Sequence, residues 1–181
     1  MSFSLLLFGI AKMLFGVVVA SVGIFTALRA LRWLLRWGDT EDQLHAGNLA
    51  VGVLEASGVI AFGILLHHAV SATFTAMDLL YRGQRFEAGM IGRFALYASA
   101  HVGLTLLVGV AALALGARLF DRLTRGLDEI AEIRRGNVAP SLVLGAVLVT
   151  ISMVVAPGLS NALEGLLPFP TLARDELVLP T

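Results

Sequence analysis

The chain has no cysteine, which excludes disulfides, thiolate zinc sites and thiol nucleophiles together and leaves the redox compartment open. It is also poor in charge, with Asp, Glu, Lys and Arg making up 14% of 181 residues where soluble proteins carry about a quarter. Its 13 basic and 13 acidic side chains cancel, so no basic excess points to nucleic acid and no acidic excess to a solvating tail. No nucleophile elbow, phosphate loop, dinucleotide fingerprint or zinc-binding helix occurs, so neither an enzyme nor a cofactor or metal site is expected. What is abundant is apolar. A hydrophobic share of 57% and a mean hydropathy of +0.86 exclude an ordinary soluble domain, and the length suits one compact unit.

A charge at the bilayer centre costs about 2.5–3.5 kcal/mol even on lenient insertion scales, so stretches without charge mark candidate spans. Four emerge: Ser4 to Leu28, interrupted only by Lys12; Asn48 to Val70, interrupted only by Glu55; Phe94 to Ala117; and Asn137 to Ala156. Each approaches the roughly 20 residues that cross about 30 Å of hydrocarbon as a helix. Buried core helices are the alternative, but the remaining charges sit in short connectors and a tail, too few to clothe four helices in a soluble shell. The first span is read as a retained helix, because it lacks a basic n-region, outruns a signal peptide's apolar core and has no small-residue cleavage site. The fold expected is all-α and polytopic, four transmembrane helices arranged as two tandem helical hairpins.

Arginine sets the orientation. The first and third connectors carry Arg29, Arg32, Arg36, Arg118, Arg122, Arg125, Arg134 and Arg135, while the opposite side holds Arg82, Arg85, Arg93 and Arg174. The positive-inside rule then puts those two connectors in the cytoplasm and both termini outside. Trp33 and Trp37 suit the cytoplasmic interface belt.

Shifting the chain against itself by 89 positions aligns Arg29, Leu34, Arg36, Asp39, Gly47, Asn48 and Ala50 with Arg118, Leu123, Arg125, Asp128, Gly136, Asn137 and Ala139. The unit is a two-helix hairpin used twice, and two hairpins of the same orientation are related by an axis along the membrane normal. Residues 1–70 form the first repeat, 71–93 an outer connecting segment, 94–158 the second repeat and 159–181 an irregular tail. Asn48 and Asn137 read as N-caps, with Gly47 and Gly136 supplying the turn before them; a place in a solute path is the alternative. Pro140 fits the first turn of the fourth helix, and Pro157-Gly158 is expected to close it. The architecture and the tandem Gly47-Asn48-Leu49-Ala50 and Gly136-Asn137-Val138-Ala139, the latter after Glu132 and Arg134, resemble the YjfL-type bacterial inner-membrane family, a domain-of-unknown-function group built from two-helix repeats. The resemblance covers nearly the whole chain and implies a cytoplasmic-membrane location, with no established activity to carry over.

Ionisable groups inside the membrane are the default functional candidates: Lys12, Glu55, His67, His68 and His101. Depth separates them. At 1.5 Å per residue Lys12 and His101 lie about 25 Å above Arg29 and Arg118, His67 about 28 Å above Asn48, and Glu55 only about 10 Å above Asn48, so a Lys12–Glu55 bond is not expected. Lys12 and His101 coincide under the 89-residue shift; together they line a polar outer vestibule, or Lys12 simply snorkels to the headgroups. His67 and His68 point about 100° apart and suit no shared metal. Glu55 falls opposite Leu144 in the repeat, so it is either neutral and hydrogen-bonded to a neighbouring helix or a proton- or cation-binding site.

Small residues four apart, Gly16/Ala20, Gly52/Ala56, Thr105/Gly109 and Ala112/Gly116, let helices approach closely, and some of these faces are expected to serve self-association. Leu119, Leu123, Leu127 and Ile130 predict that the third connector continues as an amphipathic surface helix whose arginines meet anionic lipid or a protein. Ser71 to Gly92, with Phe74, Met77, Leu80 and Tyr81, is expected along the outer interface. Two functions fit. One is a non-enzymatic, homo-oligomeric inner-membrane module that recruits a cytoplasmic or membrane partner, with envelope stress as its setting. The other is a channel or carrier for protons or small cations that uses Glu55 and the outer basic group.

Overall fold

A computed structural model describes residues 3–36, 38–81, 88–124 and 128–166, and among these it contains helices and no strand. In chain order they are α1 (Phe3–Leu34), α2 (Thr40–His45), α3 (Leu49–Tyr81), α4 (Ala88–Leu123), α5 (Glu129–Arg134) and α6 (Val138–Gly165). The four long helices are each long and apolar enough to cross a membrane, and they form two tandem hairpins, α1 with α3 and α4 with α6. Both hairpins carry their short helix, α2 or α5, at the same end of the bundle, hereafter the corner end. Adding 89 to the bounds of α2 gives those of α5, so the repeat seen in the sequence is a repeat of structure.

The helices overrun the charge-free stretches. α3 continues through Tyr81 and α4 has begun by Ala88, so most of the segment expected along the outer interface instead prolongs the two helices that flank it. Phe74 belongs there for packing. Its ring lies 5.5 Å from Phe15 of α1 and 6.0 Å from Phe94 of α4, and Phe15 lies 5.3 Å from Phe94, an aromatic contact that joins three helices.

Two expected ends also move. Pro157 lies inside α6, which runs on to Gly165. Proline loses the bond to the carbonyl four residues back and crowds that carbonyl, but Leu159 and Leu163 continue beyond it the inward stripe of Ser152 and Ala156, and that packing carries the helix through. The third connector is not one continuous amphipathic helix. α4 stops at Leu123, and α5 starts afresh where the Asp128 carboxylate accepts the Ala131 N–H at 3.0 Å. Leu127 lies outside the described residues.

α3 and α4 occupy the middle, each packing on α1 and on α6. Half of the apolar stretch of α3 is buried, against 22% for α1. The core runs through Leu31, Leu54, Phe62, Leu113, Leu144 and Leu148. Glycine sets the closest approaches: a Cβ on Gly145 of α6 would stand 2.8 Å from the Ser57 Cβ of α3, and one on Gly109 of α4 2.7 Å from the Phe62 ring. Ser57 cannot easily yield, because its hydroxyl donates to the Val53 carbonyl at 2.8 Å. Gly145→Ala should therefore destabilise the protein by about 1–3 kcal/mol. Gly63→Ala, in open space, should be neutral or gain up to about 1 kcal/mol of helix propensity. Thermal unfolding in a mild detergent checks both, and equal melting temperatures for the two variants would contradict the close α3–α6 approach.

Candidate functional site

The two Gly-Asn corners are built alike. At the end of α2, Gly47 N–H donates to the Leu44 carbonyl and Asn48 N–H to the Gln43 carbonyl, both at 2.9 Å. At the end of α5, Gly136 N–H donates to Ile133 and Asn137 N–H to Glu132, both at 3.0 Å. This closure needs a left-handed residue after the helix, and Gly47 and Gly136 have φ of 79° and 91°. Each asparagine then caps the next span: Asn48 Oδ1 accepts from Ala50 N–H at 3.1 Å and Asn137 Oδ1 from Ala139 N–H at 3.2 Å. Their Nδ2 groups reach back to Gln43 Oε1 at 2.9 Å and Glu132 Oε2 at 3.2 Å. One side chain thus finishes a short helix and starts a long one.

The corners differ in what they do for each other. Asn48 Nδ2 also lies 3.2 Å and 3.0 Å from the carbonyls of Ile133 and Arg134, where α5 ends. Arg134 donates to Asp39 at 2.6 Å, whereas Asp128, the repeat equivalent of Asp39, spends its carboxylate on capping α5. The first repeat therefore grips the second through positions that the second uses only locally.

Glu55 is buried on α3, and its carboxylate accepts from Arg32 Nε at 2.9 Å. The same guanidinium donates through Nη1 to Glu41 of α2 at 3.1 Å, so Arg32 fastens α1 to both α2 and α3. Arg32, counted among the connector charges, lies in the last turn of a helix that runs to Leu34. Its repeat equivalent is Asp121, and that of Glu55 is Leu144, so this pair has no counterpart in the second hairpin.

At the opposite end Lys12 and His101 meet adjacent residues of α3. Lys12 Nζ sits 4.9 Å from the centre of the Phe74 ring, and His101 Nδ1 lies 3.0 Å from Thr73 Oγ1. The Thr73 hydroxyl already donates to the Ala69 carbonyl at 2.8 Å, so His101 donates through Nδ1 and, when neutral, presents Nε2 as an acceptor. His101 is fully buried, and neither its Nε2 nor Thr105 Oγ1, one turn along α4, has a hydrogen-bond partner among the described residues. His67 is exposed and His68 half-buried, their rings 5.8 Å apart. Among the described residues no three His, Asp or Glu side chains form a group able to hold a metal.

Arg29, Arg32, Arg36 and Arg118 border one crevice of about 1510 Å³ between α1 and α4 at the corner end, together with Glu41 and Asp121. Arg122 is exposed outside it, Arg135 pairs with Glu132 at 2.9 Å, and Arg125 lies outside the described residues. Thr73, Ser141 and Glu129 are buried polar groups with no place in the sequence reading, and Thr105, read there only as a small packing residue, is another. Thr105 had a signal, its spacing of four from His101; the others had none short of the fold.

Two surface carboxylates report the state of the corner end. Asp39 is held below the usual carboxylate range chiefly by its hydrogen bond from Arg134, and Glu132 by those from Asn137 and then Arg135. Depressed values in the folded state mean that these contacts act fully above the ordinary carboxylate range and are lost as pH falls through the depressed values. Hydrogen-exchange protection at α5, corrected for the intrinsic exchange rate, should fall on acidification below about pH 4, and Arg134→Gln should lower it already at neutral pH. An unchanged acid response in that variant would contradict the Asp39 contact. Asn48→Ala should cost about 1–2 kcal/mol of unfolding free energy, and Asn137→Ala about half of that; chemical denaturation in micelles measures the difference, and equal losses would argue against the inter-repeat bonds of Asn48.

No curated protein and no solved structure matches the chain. The family described as Domain of Unknown Function (DUF350) matches it twice, over residues 4–102 and 93–173. The two matches begin 89 residues apart, the spacing that relates α2 to α5 and one Gly-Asn corner to the other. With both repeats of the structure accounted for, the chain belongs to the DUF350 family.

Proposed function

We propose that this protein is a non-enzymatic, self-associating module of a bacterial cytoplasmic membrane that recruits a cytoplasmic or membrane partner at its corner end, with envelope stress as its setting. The excess of arginine at the corner end supports a cytoplasmic position for it, with both termini outside. The observation that carries the reading is the Gly16–Ala20 step of α1. Gly23, Gly109, Gly116 and Gly145 are each used where another helix presses close, but a Cβ on Gly16 would meet nothing within 4 Å, and Ala20, one turn on, is exposed. A stripe of small residues that the bundle itself does not use suits a second copy. In nanodiscs the protein should have the mass of an oligomer, and Gly16→Leu together with Ala20→Leu should shift it toward monomer. A monodisperse wild-type monomer would remove the reading.

A channel or carrier for protons or small cations is the second reading, favoured by the buried His101 and Thr105 groups. Glu55 weakens it, since Arg32 already supplies the counter-ion that makes a carboxylate tolerable at that depth. Proton and potassium flux into proteoliposomes separates the two. The module should show no flux, in wild type or Glu55→Gln alike, across a range of pH and voltage. Flux in the wild type that Glu55→Gln abolishes without unfolding would establish the transport pathway instead.

A further inference from the structure

The crevice between α1 and α4 is graded along its length. Phe25 of α1 and Val110 and Ala114 of α4 line the part nearer the middle of the bundle, and Arg29, Arg36 and Arg118 line the part at the corner end. The grading follows from helical spacing, because Phe25 and Arg29 are one turn apart, as are Val110, Ala114 and Arg118 in succession. From Val110 to Arg118 the wall changes from apolar to charged within about 12 Å, and at that end Arg29, Arg36 and Arg118 outnumber Asp121, while Glu41 is paired with Arg32. Two pairs of lining residues, Arg29 with Arg118 and Phe25 with Ala114, are repeat equivalents 89 positions apart. The hairpins therefore present matching arginines to one shared space.

These arginines are also uncommitted among the described residues. Arg32, Arg134 and Arg135 each engage a carboxylate, whereas Arg29, Arg36 and Arg118 make no ion pair with any described residue. Arg36 has a φ of 54° just past the end of α1, the left-handed conformation with which helices commonly close. At about 1510 Å³ the space exceeds the roughly 300–1,000 Å³ of sites for drug-sized molecules.

We infer that this crevice binds an anionic membrane phospholipid, its phosphate between Arg29 and Arg118 and its acyl chains along Phe25, Val110 and Ala114. Basic pockets between spanning helices hold phosphate headgroups by charge-assisted, bidentate hydrogen bonds, and an apolar end would be wasted on a water-soluble phosphate. Trp33 lines the same crevice and supplies the readout in a Trp37→Phe background.

Full-length protein in mixed micelles is titrated with brominated phosphatidylglycerol or brominated phosphatidylcholine while tryptophan fluorescence is followed. The anionic lipid should quench at about tenfold lower mole fraction than the zwitterionic one. Arg29→Gln with Arg118→Gln should abolish that preference, while Arg122→Gln, exposed on α4 outside the crevice, should retain it. Ala114→Leu keeps every charge and should weaken quenching by narrowing the apolar end, which guards against a double variant that fails to fold. An equal response to both lipids, an equal loss in Arg122→Gln, or an Ala114→Leu variant that binds like wild type would each overturn the assignment. Displacement of the lipid by inorganic phosphate alone would overturn it too, in favour of a soluble phosphate ligand.

Discussion

A polar group carried into hydrocarbon must find its partner inside the protein, and Glu55 is where that constraint is strictest here. Its carboxylate lies on the most buried helix, and Arg32 meets it from α1 at 2.9 Å. The guanidinium suits the task because its planar fork can engage two acceptors at once, and its other arm holds Glu41. α1 buries little of its own surface, so an ion pair near its end fixes its rotation and height against α3 more sharply than aliphatic contacts would. The position of α1 in turn sets one wall of the crevice and leaves Gly16 without a close neighbour and Ala20 exposed.

The Gly-Asn corners impose the second constraint, this time on the backbone. Each hairpin has to end a short helix, turn and start a long one within a few residues, and every N–H and C=O at the junction needs a partner. A left-handed glycine followed by an asparagine that bonds in both directions meets that need, and it does so in both repeats. Copying a corner does not copy its neighbours. Asp39 reaches across to Arg134 while Asp128 caps locally, and Arg32 with Glu55 is matched by Asp121 with Leu144. In the bundle this shows as broken symmetry: α3 packs on α4, while the equivalent α6 and α1 lie on opposite flanks.

Much of this is legible in the amino-acid sequence. Charge-free stretches marked the four spans because a charge in hydrocarbon is expensive whatever the fold, and the repeat was visible because its corners need particular residue types. Gly47, Asn48, Gly136 and Asn137 take the cap and turn roles their chemistry suggested. Helix ends were less legible. Pro157 is a strong local stop signal, overridden by the packing of Ala156, Leu159 and Leu163, and α3 runs past Val70 because Phe74 packs on Phe15 and Phe94. The partner of Glu55 was hidden for a different reason: Arg32 read as a connector residue counted toward topology, and pairing across 23 residues depends on where α1 ends. Thr73 beside His101 likewise became visible only once α3 extended to that level.

The role of Glu55 as a structural counter-ion is tested most directly by a double-mutant cycle with Arg32→Met and Glu55→Met, read as unfolding free energy in a single detergent. Removing one partner strands the other, while removing both leaves apolar surface in an apolar setting. If the pair is structural, the double variant will be more stable than the sum of the single losses implies by at least about 1 kcal/mol, since residues in contact couple. Losses that add within about 0.5 kcal/mol would show that Arg32 and Glu55 do not depend on each other, and would return Glu55 to the search for a function of its own.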